Sequence, residues 1–439
     1  MSEPSLPRAF ILAGSLLAVC RAPRYLAELR ERGLRVLLIT SANWRAEAER
    51  VAGDSGHPLA GVEDIAFVDG GVRHEGSLIA GPIAAALAWR SRYDVVGAYA
   101  VGETMVEPAG LIADALGVPG PGLRASRVCR SKYLQRWYLP EFSPQVAFAG
   151  DDLSGVRFPA VVKPSGRHSS SGVVTVTDAE SLRAELAAYG EQETVLVEEK
   201  IVGPEYSVES LVQHGKAIFA SVTRKDTNDH DGRHFVELGH TVPSDHAAVT
   251  ELLLDANQEV LDRLDVRDGI THAEWRVTAN GRPVLMEIAA RPPGDGLCAL
   301  YELATGRPLE SEVLRIALGE HADYPAPHRY TRQVYLEHPE GVLDDVLVDW
   351  PGVRVEWVGE AGVWEQPEPL PADAPATLHA VHVHAERGAV LGPITCSEDR
   401  SVTFLVDAPT AAELDEITER VRRAIDIRTT TTTPEEASR

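Results

Sequence analysis

Three features of the sequence predict a mixed α/β and α+β architecture built from about three domains. The chain is 439 residues long, too long for one ordinary core. Its first 125 residues alternate short apolar runs with helical patterns, as a parallel sheet requires. From about Val146 the pattern changes to hairpins and short strands punctuated by Gly/Ser-rich turns.

Within residues 1–125, the apolar runs Ala9 to Gly14, Arg35 to Thr40, Ile65 to Val68 and Asp94 to Ala100 read as strands. The first run ends in Ala13-Gly14-Ser15 with no GxGxxG, which argues against dinucleotide binding in this α/β domain. An amphipathic segment, Ala109 to Leu116, leads into Pro119-Gly120-Pro121-Gly122, dense punctuation for a boundary. A second domain is expected over 126–323, divided near residue 200. Its first part, 126–200, reads as strand Phe158 to Pro164, loop Ser165 to Ser171, strand Gly172 to Thr177, helix Ala179 to Tyr189 and strand Thr194 to Ile201. The second part, 201–323, opens with a hairpin turning at His214-Gly215. A polar loop, Lys225 to Arg233, a long helix, Ala247 to Leu264, and a hairpin turning at Asn280-Gly281 follow. Residues 324–428 read as a smaller C-terminal α+β domain ending in helix Ala411 to Ile425, and the threonine-rich tail 429–439 as disordered.

Composition excludes several function classes. A formal charge of −24 repels nucleic acid phosphates and anionic lipid, so neither is an expected partner. Four cysteines lie far apart with no metal-binding spacing and read as reduced thiols. The first residues carry no secretion-signal pattern and no 18-residue apolar run occurs, so the expected location is cytoplasmic and off the membrane. Only five of the 42 basic residues are lysines: Lys132, Lys163, Lys200, Lys216 and Lys225. A lysine kept in so arginine-biased a chain marks a place where a compact ammonium serves better than a planar fork.

Two constellations carry chemistry. A two-residue turn at Asn280-Gly281 sets Glu274 directly opposite Glu287, with their Cβ atoms about 4.5–5.5 Å apart. Opposed carboxylates repel unless a cation bridges them or one holds a proton, and Mg2+ shared with nucleotide phosphates suits so small a carboxylate set. The alternative is a solvated hairpin whose glutamates face water. The same register sets His272 opposite Ala289, as a ligand or as a packed strand histidine. Further upstream, a buried strand delivers Lys163 to a loop, Ser165-Gly166-Arg167-His168-Ser169-Ser170-Ser171-Gly172, whose N–H and hydroxyl donors could cradle phosphates. It is not a Walker A loop, which needs GK[ST] and a following helix.

Taken in order, these motifs resemble the ATP-grasp superfamily, and within it carboxylate–amine ligases related to L-amino acid ligases of bacilysin type. Arg130-Ser131-Lys132 is similar to the family's opening element, with Ser131 where Asp is usual. Val162-Lys163-Pro164 and its loop resemble the phosphate-grasping strand and flap, and Glu198-Glu199-Lys200-Ile201 through Glu205 resembles the hinge. Glu274 with Glu287-Ile288-Ala289-Ala290-Arg291 resembles the metal and transfer motif, with Ala289 where many members have Asn.

The resemblance implies an ATP-grasp fold behind a Rossmann-like N-terminal domain, with ATP and Mg2+ as cofactors and Mn2+ as a substitute metal. It implies that Lys132, Lys163, Ser169, Ser170, Ser171 and Gly172 meet the phosphates. Glu198 would accept from the adenine amino group, Glu199 and Ile201 would meet adenine through their backbone, and Glu205 would hold the ribose. Glu274 and Glu287 would hold the metal, and Arg291 would stabilise charge during phosphoryl transfer. Glu103, Glu237, His240, Gly294 and Asp295 would line the substrate pocket, with His240 orienting a carboxylate or assisting deprotonation of the amine. The implied reaction joins a small carboxylate to an amine through an acyl phosphate, and the resemblance implies a homodimer as a candidate assembly. Other readings are a ligase acting on a nucleotide precursor or a carrier-protein thiol, a kinase, and a nucleotide-binding protein without catalysis.

Overall fold

The buried apolar runs near the N-terminus pair in parallel, in the order Asp64–Val68, Arg35–Ser41, Arg8–Ala13, Asp94–Ala100. A computed structural model describes the chain except residues 1–4, 22, 229–233, 362–366 and 431–439. Helix Val106–Leu116 packs on this sheet and stops at Gly117, whose φ of 68° suits a left-handed C-cap. The C-terminal ends of the strands carry Gly14, Ser41 and, beyond Ala100, Gly102 and Glu103 toward one cleft. Loops at that edge of a parallel sheet are where ligands meet such domains.

A second, antiparallel sheet takes the order Val146–Phe148, Val195–Glu199, Ala160–Pro164, Val174–Val176. Helix Ala179–Leu186 covers it, started by a capping box between Asp178 and Ser181. Its apolar cluster is small, centred on Ala160, Val162, Val176, Leu182, Val195 and Val197. It is separate from the larger cores of the rest of the molecule.

Nine strands form the main sheet, in the order Pro283–Ala289, Gly269–Val277, Glu205–Gln213, Lys216–Thr227, Glu237–Val242, Tyr330–Leu336, Val402–Ala408, Thr377–Val383, Val355–Glu356. Helix Ala247–Leu264 packs on it through Leu253, Val260 and Leu264. The sheet continues across residue 324, because Glu237–Val242 pairs with Tyr330–Leu336. Behind that seam, the buried Arg329 guanidinium donates to Asp407 at 2.7 Å. Val390–Leu391, Gly341–Val348 and Ile425–Thr430 make a small third layer.

Three expectations change. Thr429 and Thr430 lie in a strand paired with Leu343 and Val342, not in a disordered tail; the rest of that tail lies outside the described residues. Lys225 to Thr227 complete a strand rather than opening a loop, and residues 229–233 lie outside the described residues. The turn at Asn280-Gly281 is longer than two residues: Thr278 N–H donates to Arg282 O, and Gly281 N–H returns to Thr278 O with Gly281 at φ 78°. That is a three-residue loop with glycine in the left-handed position. A bulge between Glu274 and Trp275 compensates the extra residue, so Glu274 still opposes Glu287 and His272 still opposes Ala289.

Candidate active site

One cleft of about 1030 Å³ collects side chains from the regions around three of the four sheets. Every residue the sequence assigned to a site lines it except Gly172. The Gly172 carbonyl instead accepts from Tyr189 Oη at 2.6 Å, away from the lining.

The paired glutamates occupy the middle. Bare carboxylates about 4 Å apart repel by about 4 kcal/mol at an effective dielectric of 20, so each needs a counter-charge. The structure supplies lysines: Lys132 Nζ lies 2.8 Å from Glu287 Oε1, and Lys225 Nζ lies 2.6 Å from Glu274 Oε1. Two facing carboxylates, each already matched to an ammonium, are a donor set that fits a divalent metal. His272 lies within 3.3 Å of Glu274 through Nε2 while Nδ1 meets Glu209 at 2.8 Å. Burial opposes protonation of that imidazole, but Glu209 and Glu274 together raise its pKa. Glu209 is fully buried and also accepts from Ser207, Thr223 and Tyr301 hydroxyls, each at 2.7 Å.

Toward the second sheet, Lys163 ends strand Ala160–Pro164 with its ammonium 2.5 Å from Glu198 Oε2. Arg136 Nε donates to the other oxygen of Glu198 at 2.6 Å. Both oxygens are thus engaged by cations, and the carboxylate anchors Lys163 where the sequence had it accepting from adenine. Burial pushes Lys163 down to about 8, although Glu198 holds it up. Glu199 N–H is given to Gln145 O at 2.8 Å, and Ile201 O accepts from Arg276 at 3.2 Å, which occupies one backbone group of each residue expected at adenine. Arg276 also holds Glu205, at 2.8 Å through Nη2. The Ser loop carries two consecutive left-handed residues, Ser169 at φ 58° and Ser170 at φ 56°. Such conformations cost roughly 1–3 kcal/mol each. Ser170 Oγ donates to Phe235 O at 2.8 Å, which draws the loop over the cleft.

The remaining wall brings distant segments together. Arg291 Nε donates to Glu103 Oε2 at 2.5 Å, joining the transfer motif to the N-terminal domain. Burial works against ionised Glu103, yet Arg291 and Arg130 hold it down at about 2. His240 Nε2 lies 2.8 Å from Asp295 Oδ2. Arg400 grips Asp295 with both terminal nitrogens, at 2.9 and 2.7 Å. Asp295 therefore serves Arg400 and His240, where the sequence had it as an ammonium partner. Burial raises its pKa, but Arg400 and then His240 hold it well below the usual carboxylate range. An ionised carboxylate only accepts, so His240 donates to it through a hydrogen on Nε2. Its Nδ1 is buried with no hydrogen-bond partner among the described residues. Glu237 is held by Lys225 at 3.1 Å, and a Cβ added at Gly294 would meet open space.

Sequence reasoning missed Arg136, Glu209, Arg276 and Arg400. Two of these had a local signal. Arg136 lies one helical turn beyond Lys132, and Glu209 continues the alternation Glu205, Ser207, Glu209 that gives one face of a buried strand its polarity. Arg400 had none.

Residues 156–299 match the ATP-grasp domain family. The chain carries an ATP-grasp domain. ATP with Mg2+ is the cofactor pair that goes with such a domain, and likeness of fold to solved structures extends well beyond the matched stretch. An L-amino acid ligase from Bacillus licheniformis superposes with TM-score 0.74 at 18% identity, covering 98% of this chain and 100% of its own. Phosphoribosylglycinamide synthetase from Anaerococcus prevotii gives 0.64 at 14% identity, covering 96% and 99%. The biotin carboxylase domain of 2-oxoglutarate carboxylase from Hydrogenobacter thermophilus, solved with MgADP and bicarbonate, gives 0.63 at 13%, covering 97% and 91%. Identities this low establish the fold. A search of curated proteins gives no significant match. No described helix is long and apolar enough to cross a membrane.

Proposed function

We propose that the protein is an ATP-dependent ligase joining a small carboxylate, such as an amino acid, to an amine with release of ADP and phosphate. The observation that carries the reading is the Arg400–Asp295–His240 chain, which fixes an imidazole in the wall of the cleft that holds Glu274, Glu287 and Arg291. Phosphoryl transfer needs the charged groups; amide formation also needs a base for the amine.

In this reading Glu274 and Glu287 would hold Mg2+, which would supply Lewis-acid neutralisation of phosphate charge. Lys132 and Lys163 neutralise further phosphate charge, and the Ser169–Ser171 turn offers donors over them. Arg291, kept in place by Glu103, stabilises charge as a substrate carboxylate oxygen takes the γ-phosphoryl group and becomes an acyl phosphate. His240, held by Asp295, accepts a proton from the amine as the amine nitrogen attacks the acyl carbon, and phosphate leaves. The resulting imidazolium is stabilised by Asp295. The Ser loop, tied to Phe235, keeps water from the anhydride. The divisions at 125 and 200 are proposed to separate the units that move about this cleft, in a cytoplasmic enzyme that forms a homodimer.

An assay of nucleotide product with and without candidate amines tests the reading. ADP and phosphate should form, with amide appearing only when the amine is present. AMP and pyrophosphate would refute it, and ADP formation with a stable phosphorylated product would make the protein a kinase.

A further inference from the structure

Lys225 has no place in the reaction just described, yet it is the hub of the cleft's charge. Its side chain is 1% exposed, and its ammonium reaches Glu274 at 2.6 Å, Glu237 at 3.1 Å and Glu205 at 3.4 Å. Oxygens of these three carboxylates all lie within 4.8 Å of one another. An ammonium has three hydrogens to give, and here each finds a carboxylate. Each carboxylate keeps one further tether that does not involve Lys225: His272 for Glu274, Ser397 Oγ for Glu237 and Arg276 for Glu205. The three are the glutamates assigned to metal, substrate and ribose, so one ammonium links all three subsites.

We propose that Lys225 is a positioning residue that occupies Glu274 in the ligand-free enzyme and makes divalent-metal capture depend on nucleotide. The inference rests on the reading of Glu274 and Glu287 as metal carboxylates. An ammonium 2.6 Å from Glu274 and a divalent ion compete for that carboxylate, because two cations crowded onto one carboxylate repel. Metal alone must displace Lys225 from Glu274 unaided. Metal arriving with a nucleotide brings phosphate oxygens, whose negative charge offsets the repulsion between the ion and the displaced ammonium. Lys132 on Glu287 acts in the same sense, but it is already assigned to phosphate. Lys225 has two carboxylates left to retain it when Glu274 is given up.

The test is Mn2+ binding followed by electron paramagnetic resonance of the free ion, with and without ADP, in the wild type and Lys225→Met. The wild type should bind Mn2+ weakly alone and markedly better with ADP. Lys225→Met should bind Mn2+ alone about tenfold more tightly, with a smaller gain from ADP. Lys225→Gln, which leaves an amide donor among the carboxylates, carries the same expectation should the methionine variant not fold. Equal, weak binding of Mn2+ alone by wild type and both variants, with ADP strengthening all of them, would overturn the role of Lys225 and leave the metal site standing. Absence of Mn2+ binding in every protein even with ADP would overturn the metal assignment and this inference together.

Discussion

Single side chains in this cleft are held by partners that the proposed reaction must either keep or exchange. Lys163 is one to keep, and its buried ammonium titrates near 8 in the ligand-free protein. The charged form is the one that attracts phosphate, so it is present below that value and lost as pH rises through it. Apparent ATP affinity, measured as KM over a pH series, should therefore weaken above about 8. Arg291 should behave differently, since its proposed contact strengthens as charge develops. Arg291→Ala is expected to lower kcat more than it raises the KM for ATP, and the two constants measured together decide it. At His240 the expectation is a split between half-reactions. His240→Ala should lose amide product more than hydroxylamine-trapped acyl phosphate, whereas equal losses would move the residue out of the amine step.

At the level of elements, the metal hairpin is right in register for a reason the sequence conceals. A three-residue loop shifts the pairing by one residue, and the bulge beyond Glu274 shifts it back. Glycine is needed at 281 because φ is 78° there, while a Cβ would touch nothing. Gly281→Val should therefore destabilise by backbone strain alone, roughly 1–2 kcal/mol, read from the shift in denaturant midpoint. Long elements with strong periodicity were legible throughout: Ala247–Leu264 has the bounds its pattern predicts, as does strand Asp94–Ala100. Short ones in the second sheet were read too long, since Gly172 and Val173 precede the strand Val174–Val176. Local propensity there extends past the point where pairing stops.

Across the whole molecule, the cleft exists only because three parts of the chain converge on it. Glu103 from the first part meets Arg291, and Arg400 from the last part meets Asp295. The C-terminal region thus does more than cover the sheet, and Arg400 also stacks on Tyr335 at 3.8 Å. Arg400→Ala should lower amide formation while leaving ADP-dependent Mn2+ binding intact, because Asp295 would lose the cation that orients it toward His240. Loss of both would show that Arg400 supports the fold of the cleft rather than the amine step.

The sequence by itself determined the alternation of elements, the opposed glutamates and the lysine-then-Ser-loop order, since these rest on side-chain periodicity and short-range turn chemistry. It also carried the ATP-grasp resemblance, whose motifs are contiguous runs. Tertiary structure decided which charges pair. Glu198 anchors Lys163 and Arg136 together, Asp295 belongs to Arg400, and Lys225 sits among Glu205, Glu237 and Glu274. A carboxylate's partner is set by distance in space and by burial, and the residues that meet here lie as far apart in the chain as Asp295 and Arg400, beyond the reach of any local pattern.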